Sequence, residues 1–205
     1  MPAYSHIESA QFENVSDQEI WDKLRASDRK ALKYIYDQNV KLLYLYGQKF
    51  STDQGLVEDC IQELFMTIWE RRFVLGHTNA IRPYILTSLR RRMIRATSQN
   101  HIQIDRNFEI EEYDFNLEFN AEEKLILAED NTALIEKLSM ELNKLTNKQQ
   151  EVVYLKYHCG LGYEEIAEVM SINYQSARNL MHKALTILRK EFLMLFLMLS
   201  PLHIT

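Results

Sequence analysis

Seven residues near the C-terminal end carry the clearest chemistry in this chain: Tyr174, Gln175, Ser176, Arg178, Asn179, His182 and Lys183. An arginine can donate two hydrogen bonds to a guanine edge, and glutamine or asparagine can pair bidentately with adenine. A serine hydroxyl or a lysine ammonium suits a phosphate. The stretch from Ser171 to Lys190 holds Arg178, Lys183, Arg189 and Lys190 and no Asp or Glu. The segment before it carries Glu164, Glu165 and Glu168, so the basic surface is local to one element. A solvated helix face would explain the polarity alone. The coincidence of a capped turn, a short first helix and an acid-free second helix favours a reader of the DNA major groove.

A second cluster lies upstream. IRPYILTSLRRRMIR presents Arg82, Arg90, Arg91, Arg92 and Arg95 without one acid, with Tyr84 among them. Cations interleaved with an aromatic suit opened nucleic acid, where bases stack and phosphates need counter-charge. Basic runs also sit at helix C-termini because the dipole favours them there. A third constellation, VEDCIQELFMTIWERR, sets Glu58, Asp59, Gln62, Glu63 and Thr67 opposite an apolar stripe. No nucleophile–base pair, phosphate loop or metal constellation is legible. His158 beside Cys159 lacks zinc-site spacing, and Cys60 and Cys159 read as buried reduced thiols. Catalytic residues, a cofactor, a metal and a small-molecule substrate are therefore not expected.

The elements that must position these residues are helical. Five Gly and three Pro in 205 residues, with abundant Leu, Ile, Glu, Lys and Arg, argue for an all-α protein. Ser16 or Asp17 can cap a helix through Ile20, Trp21 and Leu24. Ser27 or Asp28 can cap a second, whose apolar pattern runs through Ala31, Leu32, Ile35, Tyr36, Val40, Leu43 and Leu45, with Gly47 near its middle or end. Thr52 and Asp53 open a third, with Val57, Cys60, Ile61, Leu64, Phe65, Ile68 and Trp69 in helical register. FVLGHTNA, residues 73–80, reads as a loop, and Pro83 fits the first turn of the helix that follows.

Toward the C-terminus, Thr146 can cap a helix through Leu155, and Gly160 breaks it. A short helix from Tyr163 to about Met170 buries Ile166, Ala167, Val169 and Met170. Ser171, Ile172 and Asn173 make the turn, and Asn173 caps a helix expected to reach Arg189. Ala177, Leu180, Met181, Ala184, Leu185 and Leu188 face inward on it.

The periodicity fades between these halves. Residues 98–133 read as an acidic linker, with ten acids between Asp105 and Asp130 against Arg106 and Lys124. Ile110, Tyr113, Phe115, Leu117 and Phe119 alternate with the charges. The plain reading is a solvated tether; the functional one is a segment that orders in a partner's groove. Helical pattern resumes near Leu125, and Leu134, Ile135 and Leu138 lead into the C-terminal half. Residues 1–16 form a polar, mobile tail with no export signal. Residues 193–205 form an apolar tail; the unbroken run Phe192–Leu199 is too short to span a bilayer and is expected to extend the last helix and dock on a core or partner. The net charge of −5 argues by itself against nucleic acid, but local patches govern such contacts.

At this point the residues resemble a family. VEDCIQELFMTIWERR resembles the polymerase-binding helix of bacterial sigma factors, and IRPYILTSLRRRMIR the adjoining helix that meets the −10 promoter element. LTNKQQEVVYLKYHCGLGYEEIAEVMSINYQSARNLMHKALTILR is similar to their C-terminal helix-turn-helix, which reads the −35 element. The likeness covers residues 17–97 and 134–192, the two-domain layout of the extracytoplasmic-function group of the sigma-70 family.

The resemblance implies roles by position. Asp59, Gln62 and Glu63, with Phe65 and Trp69, would meet the clamp of core RNA polymerase. His77, Thr78 and Asn79 would hold a base flipped from the −10 element, with Tyr84, Arg90 and Arg91 on the flanking helix. The linker would thread toward the polymerase active centre. A membrane-anchored anti-sigma protein is an implied partner. The chain departs from the family pattern at Arg91, often Asn; at Ser171, often Gly; and at Leu180, often basic. The rival expectation is a stand-alone helix-turn-helix regulator, which would need no polymerase surface; another is a protein-interaction scaffold acting through its apolar tail.

Overall fold

The computed structural model describes residue 12 and residues 14–98, 113–117 and 139–188. Among them the regular structure is entirely helical. The chain divides into two compact units, Met1–Gln103 and Ile104–Thr205.

In the first unit, α1 spans Asp17–Arg25, α2 Arg29–Gly47, α3 Gln54–Arg71 and α4 Ile81–Thr97. Each start has a local cause. Ser16 and Glu19 form a reciprocal capping box on α1. Asp28 caps α2 through Lys30 N–H, and Asp53 caps α3 through Leu56 N–H. Such caps are each worth about 1 kcal/mol, because they satisfy donors the helix cannot. α4 differs: its N-cap is Ala80, whose side chain bonds nothing.

Ile20, Trp21 and Leu24 of α1 are buried with Ile35 and Leu43 of α2, Leu64 and Ile68 of α3, and Ile85, Leu86 and Leu89 of α4. Full burial of side chains of this size stabilises by roughly 1.5–3 kcal/mol each. α2 and α3 approach closely where Gly47 faces Val57; a Cβ on Gly47 would lie 2.6 Å from Val57 Cγ1. Two expectations change. Leu32 and Val40 are only half-buried and Tyr36 is exposed, because the core stripe of α2 runs one residue over, through Ala31, Ile35, Asn39, Leu43 and Tyr46. Phe12, expected in a mobile tail, is buried with its ring 5.0 Å from that of Tyr34.

In the second unit, residues 139–142 are helical, α5 spans Asn147–Tyr157, α6 Tyr163–Met170 and α7 Tyr174–Ile187. Thr146 and Gln149 form a capping box on α5, and Gly160 takes the left-handed φ of +71° that follows it. α6 buries Ile166, Ala167, Val169 and Met170, the expected four. Asn173 caps α7 through Ser176 N–H. α7 ends at Ile187, and Leu188 is already extended, so the helix stops short of Arg189. The apolar tail, and Leu125, Leu134, Ile135 and Leu138, lie outside the described residues.

The linker yields the larger correction. Residues 113–117 do not behave as a solvated tether. Tyr113, Phe115 and Leu117 are buried at every second position, the spacing of an extended segment with one face inward. The Tyr113 hydroxyl donates to the buried carboxylate of Glu151. Asn147 Nδ2 donates to Tyr113 O (2.5 Å), and Leu117 N–H donates to Gln150 Oε1 (2.7 Å). The Phe115 ring stands edge-on to Tyr154, with centroids 6.0 Å apart. This strap is part of the second unit's core.

Candidate nucleic-acid and protein interfaces

Three surfaces follow from these elements, and the first is the outer face of α7. Ala177, Met181 and Ala184 are buried, which turns the other side to solvent. Tyr174, Gln175, Arg178, Asn179, His182 and Lys183 are all exposed, and Ser176 is half-buried beside the Asn173 cap. Gln175 Nε2 donates to Asn179 Oδ1 at 3.0 Å, so the two amides hold each other in register. The Arg178 guanidinium lies 5.8 Å from the Tyr174 ring centroid. A row of two amides and an arginine on one exposed helix face is the chemistry of direct base readout. The turn before it contains Ser171 at φ +54°, ψ 43°, a left-handed conformation uncommon for a residue with a Cβ.

The second surface is the loop of residues 72–80 with α4. Arg82, Arg91 and Arg95 are exposed. Arg90, expected on the same outward face, is buried (6% exposed). Arg92 is spent on α3, donating to Glu63 Oε2 (3.0 Å) and Thr67 Oγ1 (2.6 Å). The cause is that α4 packs against α1, α2 and α3 at once, leaving a narrow outward face. Tyr84 is half-buried with its ring edge-on to Trp21 at 4.9 Å, and burial raises its hydroxyl pKa.

The loop residues divide. Thr78 Oγ1 closes a local turn by accepting from Ala80 N–H (3.1 Å). His77 is exposed but bonded to α1 through Asp22 and Arg25. Asn79 is exposed. Phe73 and Val74 are 66% and 80% exposed, an apolar tip that sequence reasoning placed only in a loop.

The third surface is a groove of about 770 Å³ between α2 and α3. Leu32, Tyr36 and Val40 line one wall and Gln62, Phe65 and Trp69 the other. Tyr36 and Phe65 meet edge-on with centroids 5.0 Å apart. Trp69 is half-buried rather than a core residue, and Arg72 covers its ring at 4.2 Å from the centroid. The structure thus brings Gln62, Phe65 and Trp69 together. Glu63 points to Arg92 instead, and Asp59 is exposed but does not line the groove. The α2 wall is not distinguished in the sequence, because Leu32, Tyr36 and Val40 fall in the same apolar pattern as the buried Ala31, Ile35 and Leu43. A usable signal was there: α2 carries more apolar residues than one buried stripe consumes.

Burial, then Glu63, raises the Cys60 thiol pKa, which disfavours the reactive thiolate. Among the described residues, no group of His, Cys, Asp and Glu is placed to hold a metal ion, and no helix is long and apolar enough to cross a membrane.

Comparison with known proteins meets these surfaces directly. The family described as Sigma-70 region 2 matches residues 35–101, which contain α3, the loop and α4 and, of the groove's α2 wall, Tyr36 and Val40. The family described as Sigma-70, region 4 matches residues 135–188, which contain α5 to α7. The chain belongs to the sigma-70 family, and its function is that of an RNA polymerase sigma factor, with core RNA polymerase and promoter DNA as its partners. Among solved structures the fold is similar to that described as CnrH in complex with the cytosolic domain of CnrY. The TM-score is 0.59 at 14% identity, covering 84% of this chain and 94% of that one. No curated protein matches the sequence.

Proposed function

We propose that this chain is a sigma factor of the extracytoplasmic-function type, acting in the cytoplasm without catalytic chemistry of its own. The groove between α2 and α3 docks on the clamp of core polymerase through Gln62, Phe65 and Trp69. The loop at 73–80, with Arg82, Arg91 and Arg95 of α4, holds the opened −10 strand. The face of α7 enters the −35 major groove. Opening the duplex costs stacking and pairing energy, and contacts to extruded bases and to phosphates offset it. The observation that carries this reading is the presence, in one chain, of an apolar–aromatic groove in the first unit and an exposed acid-free helix in the second. A stand-alone regulator would have no use for that groove. The complex of CnrH with a cytosolic domain of another protein supports an anti-sigma partner for this chain as well.

Co-purification with core polymerase and run-off transcription test the assignment. Gln62→Ala with Trp69→Ala is expected to reduce co-purification roughly tenfold or more, the effect of losing an aromatic anchor. The variant's unfolding transition stays cooperative. Sequence-specific duplex binding without polymerase, unaffected by the pair of changes, would instead favour the stand-alone regulator.

A further inference from the structure

A loop can read a base only if something outside it fixes its geometry. The loop at 72–80 has little of its own: Ala80 gives α4 no side-chain cap, Gly76 has open space around it, and Phe73 and Val74 face solvent. It is nevertheless anchored at its beginning, middle and end, each time by α1 or the turn that follows α1. Arg72 Nε donates to Ser27 Oγ (2.8 Å) at the loop's start, and Ser27 holds a left-handed φ of +71° in doing so. Trp21 Nε1 donates to Gly76 O (2.8 Å). His77 Nδ1 lies 3.0 Å from Asp22 Oδ1, and Arg25 NH1, which itself binds Asp22 (3.1 Å), lies 2.9 Å and 3.0 Å from the two ring nitrogens of His77. At the end, Ile81 N–H donates to Asp17 Oδ2 (2.8 Å). Asp17 therefore caps α4 from another helix, supplying the acceptor that Ala80 lacks.

Apart from Ser27, these contacts come from α1: Asp17, Trp21 and Arg25 recur at i, i+4 on one face of the nine-residue helix, with Asp22 beside them. The buried side of α1 is Ile20, Trp21 and Leu24, so the Trp21 ring belongs to the core while its Nε1 reaches the loop. Anchoring the helix itself needs only that apolar side. The hydrogen-bonding groups of Asp17, Trp21, Asp22 and Arg25 are directed at the loop.

We propose that α1 is a positioning platform for −10 recognition, with Asp17, Trp21 and Asp22 as positioning residues that set the geometry in which the loop presents Asn79 to an unpaired base. This rests on the reading of the loop as the −10 contact. It assigns His77 to the scaffold of the loop rather than to the base.

The test uses the full chain assembled with core polymerase and a promoter library randomised at both elements. Asp17→Ala is expected to flatten the base preference at −10 roughly fivefold, the effect of one lost charge-assisted bond. The −35 preference and co-purification with polymerase are unchanged. Asp17→Asn keeps an acceptor oxygen and is expected to retain the wild-type profile. Trp21→Phe keeps a buried ring but loses the donor to Gly76, and is expected to behave like Asp17→Ala. Wild-type −10 preference in both Asp17→Ala and Trp21→Phe would overturn the platform. So would a parallel loss of −10 preference, −35 preference and polymerase binding, since that is only support of the fold. A wild-type holoenzyme that enriches no sequence at either element would remove the −10 reading itself, and the platform with it.

Discussion

The two helices expected to face DNA, α4 and α7, were identified by the same signal, cations without acids, and they turn out to be built differently. On α7 the polar residues expected outward are exposed, with only Ser176 half-buried. On α4 one arginine of five is buried and another is bound to α3. α7 packs on α5 and α6 along one stripe, whereas α4 is surrounded by three helices. A charge run identifies a reader only where the helix has one packed face. Where it has several, some of the long basic side chains are recruited to hold neighbours, their stems lying along apolar surface.

A crossed pair of substitutions breaks or sharpens this contrast. Arg90→Ala is expected to destabilise the first unit by about 2–3 kcal/mol, because Arg90 is buried and truncating it removes the packing of its long stem and leaves a cavity in the core of α4. Arg178→Ala is expected to leave stability alone and to cost about 1–3 kcal/mol of −35 discrimination. Urea unfolding and initiation from promoters mutated at −35 read the two effects separately. Normal stability in Arg90→Ala, together with weakened DNA binding, would return Arg90 to the interface.

What was legible in the sequence was local. Ser16, Asp28, Asp53, Thr146 and Asn173 cap the helices expected of them, because a cap depends on a few adjacent residues. What was not legible depended on distant partners. Leu32, Tyr36 and Val40 carry the same apolar signal as core residues, and only the placement of α3 makes them a groove wall. The strap at 113–117 shows the same limit. Its alternation of aromatics and acids was visible, but nothing nearby says which surface receives the aromatics. The matching signal sits more than thirty residues away in Gln150 and Glu151, two polar residues within a buried stretch of α5 that require partners.

That pairing gives a test of intermediate size. Tyr113→Phe keeps the ring and removes the donor to Glu151, so a buried carboxylate loses a bond. The expected cost is about 1–2 kcal/mol in the second unit, with the first unit's transition unmoved. Combining it with Glu151→Gln is expected to cost less than the sum of the two single changes, since they share one interaction. Strict additivity would mean that the strap does not dock through this bond. The result also bears on α7: the strap's hydrogen bonds to Asn147, Gln150 and Glu151 all go to α5, so −35 discrimination is expected to survive.

The smallest effect concerns the turn that aims α7. Ser171 ends α6 in a left-handed conformation, and Ile172 N–H reaches back to Ala167 O at 2.9 Å. Holding a Cβ there costs about 1 kcal/mol, a cost that glycine does not have. Glycine also gives the unfolded chain more freedom, which takes back about half of the gain. Ser171→Gly is therefore expected to stabilise the second unit by roughly 0.5 kcal/mol, a rise of about 2–4 °C in its unfolding midpoint. Ser171→Ala retains the strain and serves as the control; it is not expected to stabilise. If the turn only sets the angle between α6 and α7, both variants keep the −35 preference of the wild type. A glycine variant that is less stable than the wild type would show that the serine side chain contributes more than its backbone strain costs. Altered −35 preference at unchanged stability would instead show that α7 is aimed by this hydroxyl as well as by the turn.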